Sequence, residues 1–379
     1  MLWANQIIDF KPDPMSSCIL SSALQVILTL IYTTINGQET KNEVEFNRLM
    51  PFHVFSDRSN KISGYATGKY MVYNIGLLNN LRLNSIAFVF DYKDLTRVKS
   101  AESINKNQFG NAYTLIGALN FSLVNIKRLK VIFSPGLGFS YLDETWYTNK
   151  NPIIQSHLNF ASLVALKMSY ELSENTKILT GLSTLHFSNA AIRIPNSGMN
   201  MFGLSLGLAK HFKANQNKPL KLFINKELMV HKHNFEFGLN IGSRGVYERK
   251  KSLYKSGVYV GYNYRFGPLL ALSTGIDGVY YYVPFNLKRY VATYQSKATS
   301  FDRWRIGVGA GPTVNLGSLS FSALYGYYLH YQSYIPIYTY WNTSIKVKFN
   351  SWLAGQAKLY GHQEEVDFLG VGCVFNWTP

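Results

Sequence analysis

Two polar residues near the middle of the chain, His186 and Ser188, have the types and spacing to do chemistry. They stand two apart in the run ILTGLSTLHFSNAAIRIPNSGMNMFGLSLG, residues 178–207. On a strand that spacing puts both side chains on one face. An imidazole beside a hydroxyl is the minimum for nucleophilic acyl transfer: the ring takes the proton and the oxygen attacks. The pair ends its strand just before a loop at 189–198, which holds the turn sequence Pro195-Asn196-Ser197-Gly198. If the hairpin closes symmetrically, Asn200 lies across from Ser188 and adds a third polar group. Ile178, Thr180, Leu182 and Thr184 share the His186 face. That mixture leaves open whether the face meets lipid or a lumen.

The elements that must position this pair read as strands. Aromatic residues make up 15% of the 379 residues, with 27 Tyr and 24 Phe. Charged residues are 16%, against roughly 25% in soluble domains. Past residue 36 no apolar run reaches the roughly 18 residues of a spanning helix. A soluble β-sandwich would carry more surface charge. Alternation with period two marks half-buried strands. In 319–331, Leu319, Phe321, Ala323, Tyr325, Tyr327, Leu329 and Tyr331 share a face. Ser320, Ser322, Gly326, Tyr328 and His330 oppose them. In 258–266, Val258, Val260, Tyr262, Tyr264 and Phe266 oppose Tyr259, Gly261, Asn263 and Arg265. The end of the chain repeats the pattern: Leu369, Val371, Cys373, Phe375 and Trp377 line one face of a closing strand.

Connections alternate in length. Short ones fall near 79–82, 125–128, 173–177, 213–218, 267–268 and 315–317. Longer ones fall near 98–110, 143–156, 189–198, 243–255, 284–303 and 332–340. Short turns at one end and long loops at the other are the habit of outer-membrane barrels. The expected fold is all-β, a transmembrane antiparallel β-barrel of the outer membrane with about 12–16 strands. Residues 16–36 form the single long apolar segment, although no Lys or Arg separates Met15 from it. Residues 1–37 read as a signal peptide starting effectively at Met15, with a helical anchor as the alternative. Residues 38–379 read as one barrel domain delivered to the outer membrane.

The net charge of +17 suits an anionic lipid surface. Nucleic acid is a poor partner, because the short Arg249-Lys250-Lys251 cluster directly follows Glu248 and no dense basic run exists. Cys18 leaves with the signal, so Cys373 has no partner and acts as a small apolar residue.

HFSNA followed by PNSGMN resembles the signature of the outer-membrane lipid A 3-O-deacylases of the PagL type. The tight match spans residues 186–200. This chain is longer than those enzymes. It is similar to the larger acyloxyacyl-hydrolase-like members, as is its ending LYGHQEEVDFLGVGCVF. The resemblance implies a serine esterase that removes an ester-linked acyl chain from lipid A of lipopolysaccharide in the outer leaflet, without a cofactor. It makes Ser188 the nucleophile and His186 the general base. Asn189 would shape an oxyanion pocket with backbone N–H groups near Ala190 and Ala191. The third residue of those enzymes is Glu, and its matching position here is Asn200. An Asn can orient an imidazole through its carbonyl oxygen but cannot stabilise the imidazolium by charge. No Asp or Glu occurs between Glu174 and Glu227, so a carboxylate would have to come from afar, such as Asp143, Glu144 or Glu364.

Arg193 and Lys210 are candidates to meet a lipid A phosphate. His362-Gln363-Glu364-Glu365 offers too few ligands for a metal site, and none is expected. Two rival readings need less chemistry: a passive porin in which HFSN is incidental, and a catalytically inactive barrel that binds lipopolysaccharide.

Overall fold

The computed structural model describes residues 42–55, 62–76, 83–100, 107–212, 232–246, 251–267, 270–284, 300–333, 336–363 and 365–378. The signal peptide expected at 1–37, the turn expected at 213–218 and Glu364 lie outside the described residues.

Alternating polarity produces strands along the whole described chain. The first half gives β1 (Asn42–Phe55), β2 (Ile62–Gly76), β3 (Leu83–Asp94), the two-residue β4 (Lys99–Ser100), β5 (Asn111–Ile126) and β6 (Leu129–Leu142). A one-turn helix α1 (Trp146–Asn149) precedes β7 (Leu158–Ser173), β8 (Thr176–Ser188) and β9 (Met199–Phe212). The second half gives β10 (His233–Gly245), β11 (Ser252–Arg265), β12 (Leu270–Tyr281), β13 (Trp304–Leu316), β14 (Leu319–His330), β15 (Thr339–Lys348), β16 (Leu353–His362) and β17 (Glu365–Trp377). Every pairing is antiparallel. β1 pairs with both β2 and β9, which closes a first barrel, with β4 added beside β2. β10 pairs with both β11 and β17, which closes a second.

The single barrel domain expected from the sequence is therefore corrected to two barrels of eight strands. Alternation and loop lengths look the same in one large ring and in two small ones. What differs is the interior. A ring of eight is just narrow enough for side chains to fill, and the inward residues here pair across it. In the first barrel Lys177 Nζ lies 2.7 Å from Glu43, and Lys167 Nζ lies 3.2 Å from Glu45. Asn74 and Asn120 continue the network to Ser85. In the second barrel three carboxylates each meet a cation. Glu236 pairs with Lys346 at 2.6 Å, Asp277 with Lys358, and Asp367 with Lys255 and Arg305.

The outward face is apolar, the reverse of a soluble protein. On β7 Leu166, Met168 and Tyr170 are exposed while Lys167 and Ser169 are buried. On β14 Tyr325, Tyr327 and Leu329 are exposed while Ser320, Ser322 and Tyr328 are buried. Apolar-out and polar-in over complete rings is the pattern of a transmembrane barrel. The start of β1 and the end of β17 lie at the same end as the short connections 127–128, 174–175 and 317–318. The long loops 143–157 and 189–198 lie at the other. The 13 residues of β8 run roughly 43 Å at about 3.3 Å each. Tilted by about 40°, they rise about 33 Å, beyond the ~25 Å apolar band. The last residues of β8 thus stand at the interface on the long-loop side.

Candidate active site

His186 and Ser188 sit at the end of β8 on its outward face. Lys177, Leu179, Leu185 and Phe187 of the same strand point inward and are buried, whereas Ile178 and Leu182 are exposed on the His186 face. The structure thus decides what the sequence left open: the pair faces the lipid side. β9 runs back beside it, and Phe202, Leu204, Leu206 and Leu208 extend an exposed apolar strip below Asn200.

Asn200 lies opposite His186, two residues from the position expected across from Ser188. The β8–β9 register runs evenly into the loop, two residues off the expected one, and the returning limb also pairs with a neighbouring loop. Asn196 bridges to Ile154, and the Ser197 N–H donates to Ile153 O at 3.0 Å. A slip of two keeps Asn200 on the same face. There, His186 Nδ1 and Asn200 Oδ1 are 2.7 Å apart. An amide oxygen can only accept, so Nδ1 carries the hydrogen and Nε2 is the basic nitrogen.

The Ser188 hydroxyl makes its hydrogen bonds on the loop side. The Ala190 N–H donates to Oγ at 3.2 Å, and Asn196 Nδ2 donates at 2.9 Å. Ala190 and Ala191 both have positive φ, 55° and 61°. Left-handed backbone costs a residue with a Cβ about 1–2 kcal/mol, and it turns the chain sharply back over Ser188. Asn189 is buried, with its amide committed to the loop. Nδ2 donates to Ser156 at 2.8 Å, its N–H donates to Asn196 Oδ1 at 3.0 Å, and its Oδ1 accepts from the Arg193 N–H at 3.4 Å. Of the residues expected around an oxyanion, Ala190 thus aims its N–H at the hydroxyl. Asn189 holds the loop, and Ala191 turns its carbonyl to the Gly245 N–H at 2.8 Å. Asn196 is the donor that sequence reasoning missed. It was visible there only as part of a turn sequence, and the fold back over Ser188 brings it in.

Of the distant carboxylates, Asp143 and Glu144 are bonded within their own loop region. Asp143 accepts from the Asn111 backbone and side chain at 2.5 and 2.9 Å, and Glu144 accepts from Thr148 at 2.8 Å. Both brace the 143–157 loop. Lys210 is ten residues along β9 from Asn200, roughly 33 Å at about 3.3 Å per residue. That places it at the opposite end of the barrel, which removes it as a partner for a phosphate at this site. Arg193 stays close, with Nη1 donating to Ser252 of the second barrel at 2.9 Å. His362 lies inside the second barrel, where Nδ1 meets the Tyr328 hydroxyl and Nε2 meets Arg305 at 3.0 Å.

Comparison with known proteins adds the family. Residues 65–209 match the model of the lipid A 3-O-deacylase family (PagL), and residues 233–378 match that of the acyloxyacyl hydrolase C-terminal domain. The two matches fall one on each barrel. No curated protein sequence matches the chain. Among solved structures, Neisserial surface protein A is similar over 47% of this chain and 99% of its own, at 11% identity and a TM-score of 0.31. An outer membrane channel from Pseudomonas putida F1 aligns over 90% of this chain and 96% of its own, at 10% identity and a TM-score of 0.21. OccAB4 of Acinetobacter baumannii aligns over 90% and 99%, at 9% and 0.24. With both of its barrels matched, this chain belongs to the PagL lipid A 3-O-deacylase family, in a form that also carries the acyloxyacyl hydrolase C-terminal domain.

Proposed function

We propose that the protein hydrolyses an ester-linked acyl chain of lipid A in the outer leaflet, with Ser188 as nucleophile, His186 as general base and Asn200 orienting the imidazole. The observation that carries this is the 2.7 Å contact of His186 Nδ1 with Asn200 on the same lipid-facing strand end as Ser188. It fixes the tautomer in which Nε2 can take a proton. The position suits the substrate. Lipid A lies in the membrane beside the barrel, its acyl chains can run down the strip of Leu182, Phe202 and Leu204, and no tunnel is needed.

In the reaction the Ser188 hydroxyl swings from its loop donors toward His186 and gives up its proton as Oγ attacks the ester carbonyl. The donors it leaves, the Ala190 N–H and Asn196 Nδ2, face the oxyanion that develops there. Preorganised donors of this kind are worth about 2.7–4 kcal/mol each. His186 then returns the proton to the departing sugar oxygen. Water, activated by the same ring, releases the fatty acid from Ser188. None of these steps calls for a cofactor. The passive channel is disfavoured by interiors crossed with paired charges.

The test is mass spectrometry of lipid A from cells producing wild type or Ser188→Ala. The expected result is loss of one acyl chain with wild type alone. Unchanged lipid A in both, with protein folded in the outer membrane, would overturn the reading in favour of a barrel that binds lipopolysaccharide without turnover.

A further inference from the structure

The loop that follows Ser188 is gripped by the second barrel, and both grips come from one rung of it. Gly245 and Ser252 are directly paired across β10 and β11 at the long-loop end. The Gly245 N–H donates to Ala191 O at 2.8 Å, and Ser252 Oγ accepts from Arg193 at 2.9 Å. The approach is close. A Cβ on Gly245 would lie 2.7 Å from Arg193 Cα, 2.9 Å from Ile192 O and 2.9 Å from Ile194 N. Those are backbone atoms that cannot step aside singly. The same coverage explains a break in the outward pattern of β10. Leu239 and Ile241 are 40% and 55% exposed, yet Ser243, next on their face, is 0% exposed.

Strained backbone persists where its surroundings over-determine it. The two left-handed residues, Ala190 and Ala191, aim one N–H at the nucleophile and one carbonyl at the second barrel. Gly245 is therefore only two hydrogen bonds from Ser188 Oγ, by way of Ala191, Ala190 and the Ala190 N–H. We infer that the second barrel is a positioning element for the catalytic loop, with Gly245 and Ser252 holding Ala190 and Asn196 in place as donors to the reacting oxygen. Neither residue touches substrate. Their effect falls on the rate of the chemical step, because the apolar strip that seats the acyl chain belongs to β8 and β9, below the loop.

This inference rests on the deacylase reading. Its test uses the full chain in lipid A–detergent micelles, with folded protein counted by the heat-dependent mobility shift of intact barrels. Wild type is compared with Gly245→Val, Gly245→Ala, Ser252→Ala and the control Gly278→Ala. At Gly278 a Cβ would meet its neighbours at an ordinary 3.8 Å or more. For Gly245→Val the expected result is a fall in kcat per folded molecule of about tenfold or more, with KM within about twofold, since misplacing a single oxyanion donor costs up to 10²–10³. Acylation of Ser188 by a fluorophosphonate probe slows in parallel, Gly245→Ala and Ser252→Ala lie between, and Gly278→Ala matches wild type. A kcat within about twofold of wild type in Gly245→Val, or an equal loss in Gly278→Ala, overturns the inference while leaving the deacylase intact. If Gly245→Val does not fold, Gly245→Ala and Ser252→Ala decide by the same criterion. Wild type without activity overturns the deacylase reading and this inference with it.

Discussion

Replacing Asn200 tests the site where this chain departs from the resemblance that its motif carries. The structure puts Asn200 Oδ1 2.7 Å from His186 Nδ1. Asn200→Ala removes a neutral hydrogen bond of about 1 kcal/mol net, which predicts a kcat about fivefold lower. Asn200→Asp keeps the shape and adds charge. A carboxylate about 4 Å from the centre of an imidazolium gains about 4 kcal/mol at an effective dielectric constant of about 20. Both residues are only half-buried, and solvent screening cuts that to about 2 kcal/mol. The charge exists on the ring only after it has taken the serine proton, so this energy lowers the barrier and not the ground state. Asn200→Asp should therefore raise kcat about thirtyfold. The assay is the initial rate of fatty-acid release from lipid A micelles, per folded molecule. Wild-type rates in both variants would refute the argument that Asn200 orients the base. A fall in Asn200→Asp as large as that in Asn200→Ala would refute the charge argument alone.

Two further outcomes follow from the same geometry. Asn196→Ala removes a 2.9 Å donor to Ser188 Oγ and should lower kcat about 10²-fold with little change in KM, as steady-state kinetics on the same micelles would read. Asp367→Asn should destabilise the second barrel by about 3–5 kcal/mol, because Lys255 and Arg305 would lose the carboxylate they share. A urea titration of the folded band would detect this, and an unmoved midpoint would count against it.

The second barrel is more than a covalent passenger. Its rim meets the loop after Ser188 at the far end of β9 and β10 from Phe212 and His233. The contact is thus made by packing and not forced by the chain link. The interior of that barrel is crossed at three levels, at Glu236, Asp277 and Asp367. Such layering suits a rigid support better than a conduit.

Local pattern carried the strands, the faces and the pair of chemical residues, because a side-chain period of two is written directly in the residue order. Val260 and Phe266 lie outward and Tyr259 and Asn263 inward, as the alternation required. The spacing of His186 and Ser188 likewise put them on one face before any fold was known. Ring closure was not legible, because β9 meeting β1 and β9 meeting β10 leave the same pattern in the sequence. The choice is made by pairs such as Lys167 with Glu45, far apart in the chain, that only a narrow interior brings together. The register at Asn200 was equally hidden, and the returning limb of its loop also pairs with Ile153 and Ile154 on the neighbouring loop. Asn196 as a donor and Gly245 as a support come from the same source. Hydrogen bonds between segments distant in sequence have no period, and they exist only once tertiary packing has placed both partners.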